Sequence, residues 1–208
     1  MSLSISATVL ALLPLYPLIS FLLLIGLGKR LSWQTASILS VGAMALSAIS
    51  SFVVINQLSI QSPVLTVHLW NWFELSLTQS SSALINISFY LDGLSAVMIS
   101  VVTGIGLLIH IFAAAYMKED ENFTRFMAYM NLFIVAMLIL VLADLGWEGV
   151  GLCSFLLIGF WYQEKANVLA ARKAFIVTRV GDTAMAIGLF MLFKELGQLN
   201  ITEISASA

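Results

Sequence analysis

The sequence predicts an all-α polytopic membrane protein of about six transmembrane helices, with a short external β-hairpin between the second and third helices. Three observations carry that fold class. The chain is 61% hydrophobic and only 10% charged, whereas soluble domains hold about 25% charged and about 45–50% apolar residues. Apolar runs of about 18 or more residues recur, each long enough for a hydrocarbon core of about 30 Å. The basic residues cluster between those runs. The lone cysteine, Cys153, excludes an internal disulfide and a cysteine metal cluster. Residues 1–28 read as a first span, because they lack a basic leader region and their apolar run is too long for a cleaved signal.

The expected spans are about 9–28, 35–56, 93–115, 126–143, 145–162 and 174–194, within a single membrane domain covering 1–208. Pro14 and Pro17 fall in the first, where neighbouring helices must satisfy the carbonyls they free. Lys29 and Arg30, Lys118 and Arg125, and Lys165, Arg172 and Lys173 occupy three linkers and mark them as internal. The 57–88 connection has no Lys or Arg and is placed outside, which puts the N-terminus outside as well. Within it, VLTVHLWNWFELSL alternates in the manner of a strand, and so does INISFYLD after the polar TQSSSA. A two-stranded hairpin follows, with Trp70 and Trp72 at the membrane interface. Phe126 to Tyr162 is almost continuously apolar, yet one helix of that length would reach about 55 Å. A single crossing would also put the last basic linker outside. A tight turn near Asp144–Gly146 resolves both difficulties and divides the run into two short arms.

Ionisable residues at membrane depth are the candidate functional groups, since burying charge in hydrocarbon is costly. Glu148, in LGWEGVGLCS, is the sharpest. Burial raises a carboxyl's pKa and a nearby cation lowers it, so such an acid can exchange protons near neutral pH. Gly146, Gly149 and Gly151 allow helices or water to approach its backbone. Arg179 and Asp182, three residues apart in TRVGD, can pair on one side of a helix. Thr178 and Thr183 can hydrogen-bond along it. That pair serves either conduction or simple charge neutralisation. Lys173 can anchor the inner end of that helix. His110 has a pKa suited to a relay, although a lone buried histidine more often just makes hydrogen bonds. Haem is rejected because the only other histidine, His68, lies in the outer connection. Asp92 in FYLDGLS reads as a helix cap, and Cys153 as packing. GWEGVG lacks the spacing and Lys-Ser/Thr ending of a phosphate loop. Nothing points to nucleic acid. N-x-S/T at Asn86, Asn122 and Asn200 is too short a match to weigh.

Taken together, FYLDGLSAVMISVVTGIGLLIHIFAAAYM, LGWEGVGLCSFLLIGFWY and KAFIVTRVGD resemble the largest antiporter-like membrane subunit of proton-pumping NADH:quinone oxidoreductase (respiratory complex I). The likeness runs in order from the first helix to ELGQLNITEI. It extends to the sodium/proton antiporter subunits of multi-subunit exchangers, although VVTGIGLLIH and GWEGVGLCS favour complex I. The resemblance implies a proton-translocating membrane-arm subunit of a translocase, with no redox chemistry in this chain. NADH, FMN, iron–sulfur clusters and quinone belong on that view to partner subunits, and the chain itself holds no cofactor or metal. Its partners would be other membrane-arm subunits and the lipid of a bacterial plasma or mitochondrial inner membrane. Glu148 matches the fifth-helix glutamate that the family pairs with a seventh-helix lysine, a partner expected beyond Ala208. Arg179 and Asp182 match a charged site on the sixth helix. Two departures stand out. The chain stops before that lysine, as an N-terminal fragment or short product would; the remaining alternative is a truncated membrane fragment that conducts nothing. The family also carries roughly six more residues between Asp144 and Leu145, whose absence shortens the fifth helix.

Overall fold

The computed structural model describes residues 2–61, 64–78, 81–143 and 149–196. Helices dominate because a backbone in hydrocarbon has no water to bond and must satisfy its own N–H and C=O groups. They are α1 (Ser2–Leu12), α2 (Leu15–Leu27), α3 (Trp33–Gln61), α4 (Gly93–Tyr116), α5 (Phe123–Leu142), α6 (Val150–Ile158) and α7 (Lys165–Leu196). A 3-10 turn, Gly28–Arg30, joins α2 to α3. Among the described residues, five stretches are long and apolar enough to cross a membrane: Ala7–Leu27, Trp33–Gln57, Gly93–Tyr116, Phe123–Leu142 and Lys165–Glu195. These coincide with five of the six expected spans.

The remaining expected span, 145–162, differs. Its helical part among the described residues is α6, nine residues long, or about 13 Å at 1.5 Å per residue, less than half a bilayer core. The strand of chain nevertheless runs back along α5. Gly149 lies against Ala136, Cys153 Sγ donates to the Leu132 carbonyl, and Phe160 meets Phe126 and Tyr129 near the start of α5. Trp161 then donates to Asp120 at 3.0 Å in the α4–α5 connection. The return predicted from charge parity is therefore made, with a short helix and an irregular Gly159–Glu164 stretch. The turn expected near Asp144–Gly146 lies outside the described residues.

The two prolines show how the membrane constraint is met. Pro14 and Pro17 have no N–H and would leave the carbonyls of Leu10 and Leu13 unbonded, one helical turn back. The helix breaks between α1 and α2. The Leu13 N–H then turns to the Leu10 carbonyl at 3.3 Å, and the buried Ser47 hydroxyl of α3 donates to the Leu13 carbonyl at 3.0 Å. Leu10, Leu13 and Ser47 are all fully buried.

Strands β1 (Leu65–Thr78) and β2 (Ser81–Leu91) form the expected antiparallel hairpin. Their pairing runs from Leu65↔Leu91 to Thr78↔Ser81, with shifts at His68/Trp70, Asn71/Phe73 and Ser76/Thr78. Each shift inserts one extra residue in β1, a bulge that bends and twists the ribbon. The hairpin docks by its base. Leu65, Phe89 and Leu91 join Leu10, Leu13, Met44, Val54, Ile99, Ile134, Leu138 and Leu142 in one apolar cluster. A second cluster at the opposite end, beside the basic loops, holds Leu24, Ala36, Ala113, Ala114, Met117, Phe123, Met127, Ala128 and Phe160. Trp70 is exposed on the hairpin; the Trp72 side chain lies outside the described residues.

Where β2 ends, Asp92 caps α4 as expected, its Oδ1 accepting from the Ser95 N–H at 2.7 Å. That amide bond holds the carboxyl below the usual aspartate range. Its stabilising effect is thus present above the unfolded-state pKa and is lost as pH falls through the lower folded-state value. Asp92→Ala should cost about 1 kcal/mol at neutral pH. The gap to wild type should narrow in acid below about pH 4, while Asp92→Asn stays near wild type; thermal unfolding in detergent at several pH values reads this. Ser47→Ala should cost about 1 kcal/mol by orphaning a buried carbonyl. Adding Pro17→Ala, which supplies an N–H to that same carbonyl, should recover most of the loss in mixed-micelle unfolding.

Candidate functional site: polar groups within the helix bundle

Between the two apolar clusters the bundle turns polar. In α3, Ser40 lies between Ala36 of one cluster and Met44 of the other; in α4, His110 lies between Ala113 and Ile99; in α5, Asn131 lies between Met127 and Ile134. Ser40, His110 and Asn131 are each fully buried. Asn131 Nδ2 donates to Ser40 Oγ at 2.6 Å and to the Met127 carbonyl at 2.9 Å. His110 Nδ1 sits 2.7 Å from the Gly106 carbonyl. Toward the hairpin, Ser51 and Thr103 share a hydrogen bond of 2.9 Å between α3 and α4, and Thr103 Oγ1 also donates back to Ile99 at 2.7 Å. A cross-bundle hydrogen bond in a membrane contributes on the order of 0.6 kcal/mol. These bonds therefore set helix register more than they set total stability.

The helices close in on His110 because Gly106 has no side chain. A Cβ there would meet Ile134 Cδ1 and Met44 Cε at 3.0 Å. Sequence reasoning singled out His110 but missed Asn131 and Ser40. The signal was available for Asn131, an amide alone in the apolar run FMAYMNLFIVAM, whereas Ser40 is one of many serines and carries no distinguishing mark.

A second polar group lies on α7. Arg179 Nη1 donates to Asp182 Oδ2 at 3.1 Å, the three-residue pair that the spacing predicted. The guanidinium also lies 4.8 Å from the Phe175 ring centre. Thr178 Oγ1 donates to the Phe175 carbonyl and Thr183 Oγ1 to the Arg179 carbonyl, each at 2.8 Å along the helix. Arg179 is half exposed and Asp182 one-fifth exposed, on a helix that packs chiefly against α6. That contact is tight: a Cβ on Gly151 would reach Thr178 Oγ1 at 3.0 Å, and Phe155 meets Phe175 at 5.5 Å. Gly151 thus permits the close helix approach expected of it.

Glu148, the leading candidate, lies outside the described residues. The residue after it, Gly149, begins the described return arm. The structure does not bring His110 to the Arg179–Asp182 pair: His110 is enclosed by α3 and α5, and α7 is carried by α6. Cys153 is buried, with its Sγ near the Leu132 and Gly149 carbonyls, a packing position. Among the described residues no group of His, Cys, Asp or Glu gathers as metal ligands would.

At the basic end the linkers are pinned by aromatic residues. Trp33 Nε1 donates to the Ala114 carbonyl at 3.1 Å, and Lys118 lies 4.9 Å above the Trp33 ring. Arg125 stacks over Phe160 and Tyr162 at 5.0 and 5.5 Å. The stretch before Lys165 and the stretch around Lys118 and Arg125 are therefore held together at one end of the bundle.

Two family models match. Residues 77–127 match the N-terminus of NADH-ubiquinone oxidoreductase (complex I) chain 5, and residues 138–208 match the transmembrane region shared by NADH:quinone oxidoreductase and Mrp antiporters. NADH-quinone oxidoreductase subunit L of Pseudomonas aeruginosa is 47% identical over 199 residues, covering 91% of this chain and 32% of that protein. The Escherichia coli subunit L is 46% identical over 202 residues, covering 94% of this chain and 32% of its own length. The Rickettsia felis subunit L is 35% identical over 186 residues, covering 86% and 28%. The chain thus spans about a third of the length of the curated relatives it matches. The alignments with the first two relatives run longer than the part of this chain they cover, so those relatives carry residues that this chain lacks. The chain belongs to the family of antiporter-like membrane subunits of NADH:quinone oxidoreductase, and corresponds to their N-terminal part.

Proposed function

We propose that this chain is the N-terminal part of a proton-translocating membrane-arm subunit of NADH:quinone oxidoreductase. The observation that carries the reading is the close similarity to subunit L proteins across more than nine-tenths of the chain. In this reading Glu148 exchanges a proton, tuned by a cation from a lysine that the resemblance places later in the protein. The Arg179–Asp182 pair keeps a charge of each sign on α7 and can re-pair when a neighbouring charge changes. His110 is a further proton-accepting group on the same route. Redox chemistry, with NADH, FMN, iron–sulfur clusters and quinone, belongs to partner subunits, and the other membrane-arm subunits are the chain's neighbours. The basic loops face the inside of a bacterial plasma membrane and the N-terminus faces out, which fits the shared end of Lys118, Arg125 and the segment leading to Lys165.

A second reading has one specific observation in its favour, the Mrp antiporter half of the family description for residues 138–208. It predicts sodium-dependent proton exchange in vesicles without NADH oxidation, where the first reading predicts none.

In the assembled enzyme carrying this sequence, Glu148→Gln should lower protons pumped per electron several-fold while electron transfer and assembly persist. An unchanged ratio removes Glu148 from the route. Arg179→Leu alone should impair assembly by leaving Asp182 without its partner. The double substitution Arg179→Leu with Asp182→Leu should restore assembly. If the pair conducts, pumping stays low in the double variant; if it only neutralises charge, pumping returns.

A further inference from the structure

The hydrogen-bond roles around His110 and Asn131 can be assigned from chemistry alone. Asn131 sends its nitrogen to the Met127 carbonyl. A carbonyl only accepts, so the amino group must be the end that faces it, and the amide cannot be flipped. Its second N–H goes to Ser40 Oγ. Both donors are used, and Oδ1 is left buried with no partner. His110 obeys the same logic. Nδ1 faces the Gly106 carbonyl and must carry a hydrogen to bond it, so in the neutral imidazole Nε2 holds a lone pair. Nε2 is likewise buried with no partner.

The residues that carry these two acceptors lie at the same level of the bundle. Gly106 meets Ile134 and Met44, and α4 runs antiparallel to both neighbours, as the Trp33–Ala114 and Ser51–Thr103 bonds show for α3. One turn further along, His110 follows Gly106 on α4, Asn131 precedes Ile134 on α5, and Ser40 precedes Met44 on α3. Two acceptors cannot bond each other. The surrounding helices supply no charged donor either: α3 carries no titratable residue. On α5 the titratable residues are Arg125, stacked over Phe160 and Tyr162, and Tyr129, whose ring meets Phe160.

We propose that His110 Nε2 and Asn131 Oδ1 form a binding site for one internal water molecule, which donates a hydrogen to each and ties α4 to α5. Water is the ligand the chemistry selects, because it is neutral, small and offers two donors to two acceptors. It also defines how His110 exchanges protons. The Nδ1 hydrogen is committed to a backbone carbonyl that has no proton to pass on, so a proton enters and leaves only at Nε2, through the bound water. His110 is in consequence a one-ended station rather than a two-sided relay. The water site stands independently of the transport reading; its one-ended role rests on that reading.

The test is 15N solid-state NMR of the histidine-labelled protein in lipid bilayers, which gives signals from only two histidines, His68 and His110. His110→Gln assigns the His110 resonances by their loss. The expected result is a protonated Nδ1, an unprotonated Nε2, and magnetisation transfer to Nε2 from water protons. Asn131→Leu should abolish that transfer while the Nδ1–H tautomer persists. A protonated Nε2 on a neutral ring, a dry Nε2, or water contact unchanged in Asn131→Leu would each overturn the site. None of these readouts depends on proton flux, so failure of the transport reading leaves the result distinguishable.

Discussion

Without water to satisfy them, the backbone's own polar groups are the strictest constraint on this molecule, and the bundle is arranged around meeting it. The break between α1 and α2 is the clearest instance. Two prolines remove two donors, one freed carbonyl is taken by a tightened turn, and the other by a serine on the adjacent helix. Ser47 is thus a structural part of the first span although it belongs to the second. A hydroxyl is enough because its alternative in hydrocarbon is an unbonded carbonyl.

The same economy governs the layer of Ser40, His110 and Asn131. Apolar side chains at either end of the bundle supply van der Waals contact, but lipid tails are as apolar as leucine and do not choose between helix registers. Directional bonds do. Asn131 reaches across to Ser40, Ser51 to Thr103, and Trp33 to Ala114, so the α3–α4–α5 unit is bonded at several depths. In this setting a polar residue is costly when unpaired and specific when paired. That combination makes the few buried polar groups informative about both register and proton chemistry.

The α5–α6 return is the unusual feature of the chain. Contacts lead it from Ala136 level down to Asp120, yet its helix among the described residues is only nine residues long. From Gly159 to Glu164 single-turn backbone bonds and the packing of Phe160 against Phe126 and Arg125 carry the path instead of a continuous helix. Small residues do the close work on the other side, where Gly151 lets Thr178 approach and so seats α7, with its Arg179–Asp182 pair, on α6.

By itself the sequence determined the membrane class, five of the spans, the hairpin, the Asp92 cap and the Arg179–Asp182 pair. Each depends on a local rule: run length against bilayer thickness, strand alternation, a cap beside a helix start, or three-residue spacing on one helix. It singled out Glu148 and His110 because an ionisable residue in an apolar run is conspicuous one residue at a time. What the tertiary structure decided are relations between segments far apart in the chain. No local pattern says that Ser47 completes the backbone at Leu13, that Asn131 and Ser40 share a layer with His110, or that the described part of the fifth arm returns with so little helix. Those outcomes depend on which helix faces which, and helix packing is settled by side-chain fit and cross-helix bonds that a linear pattern does not encode.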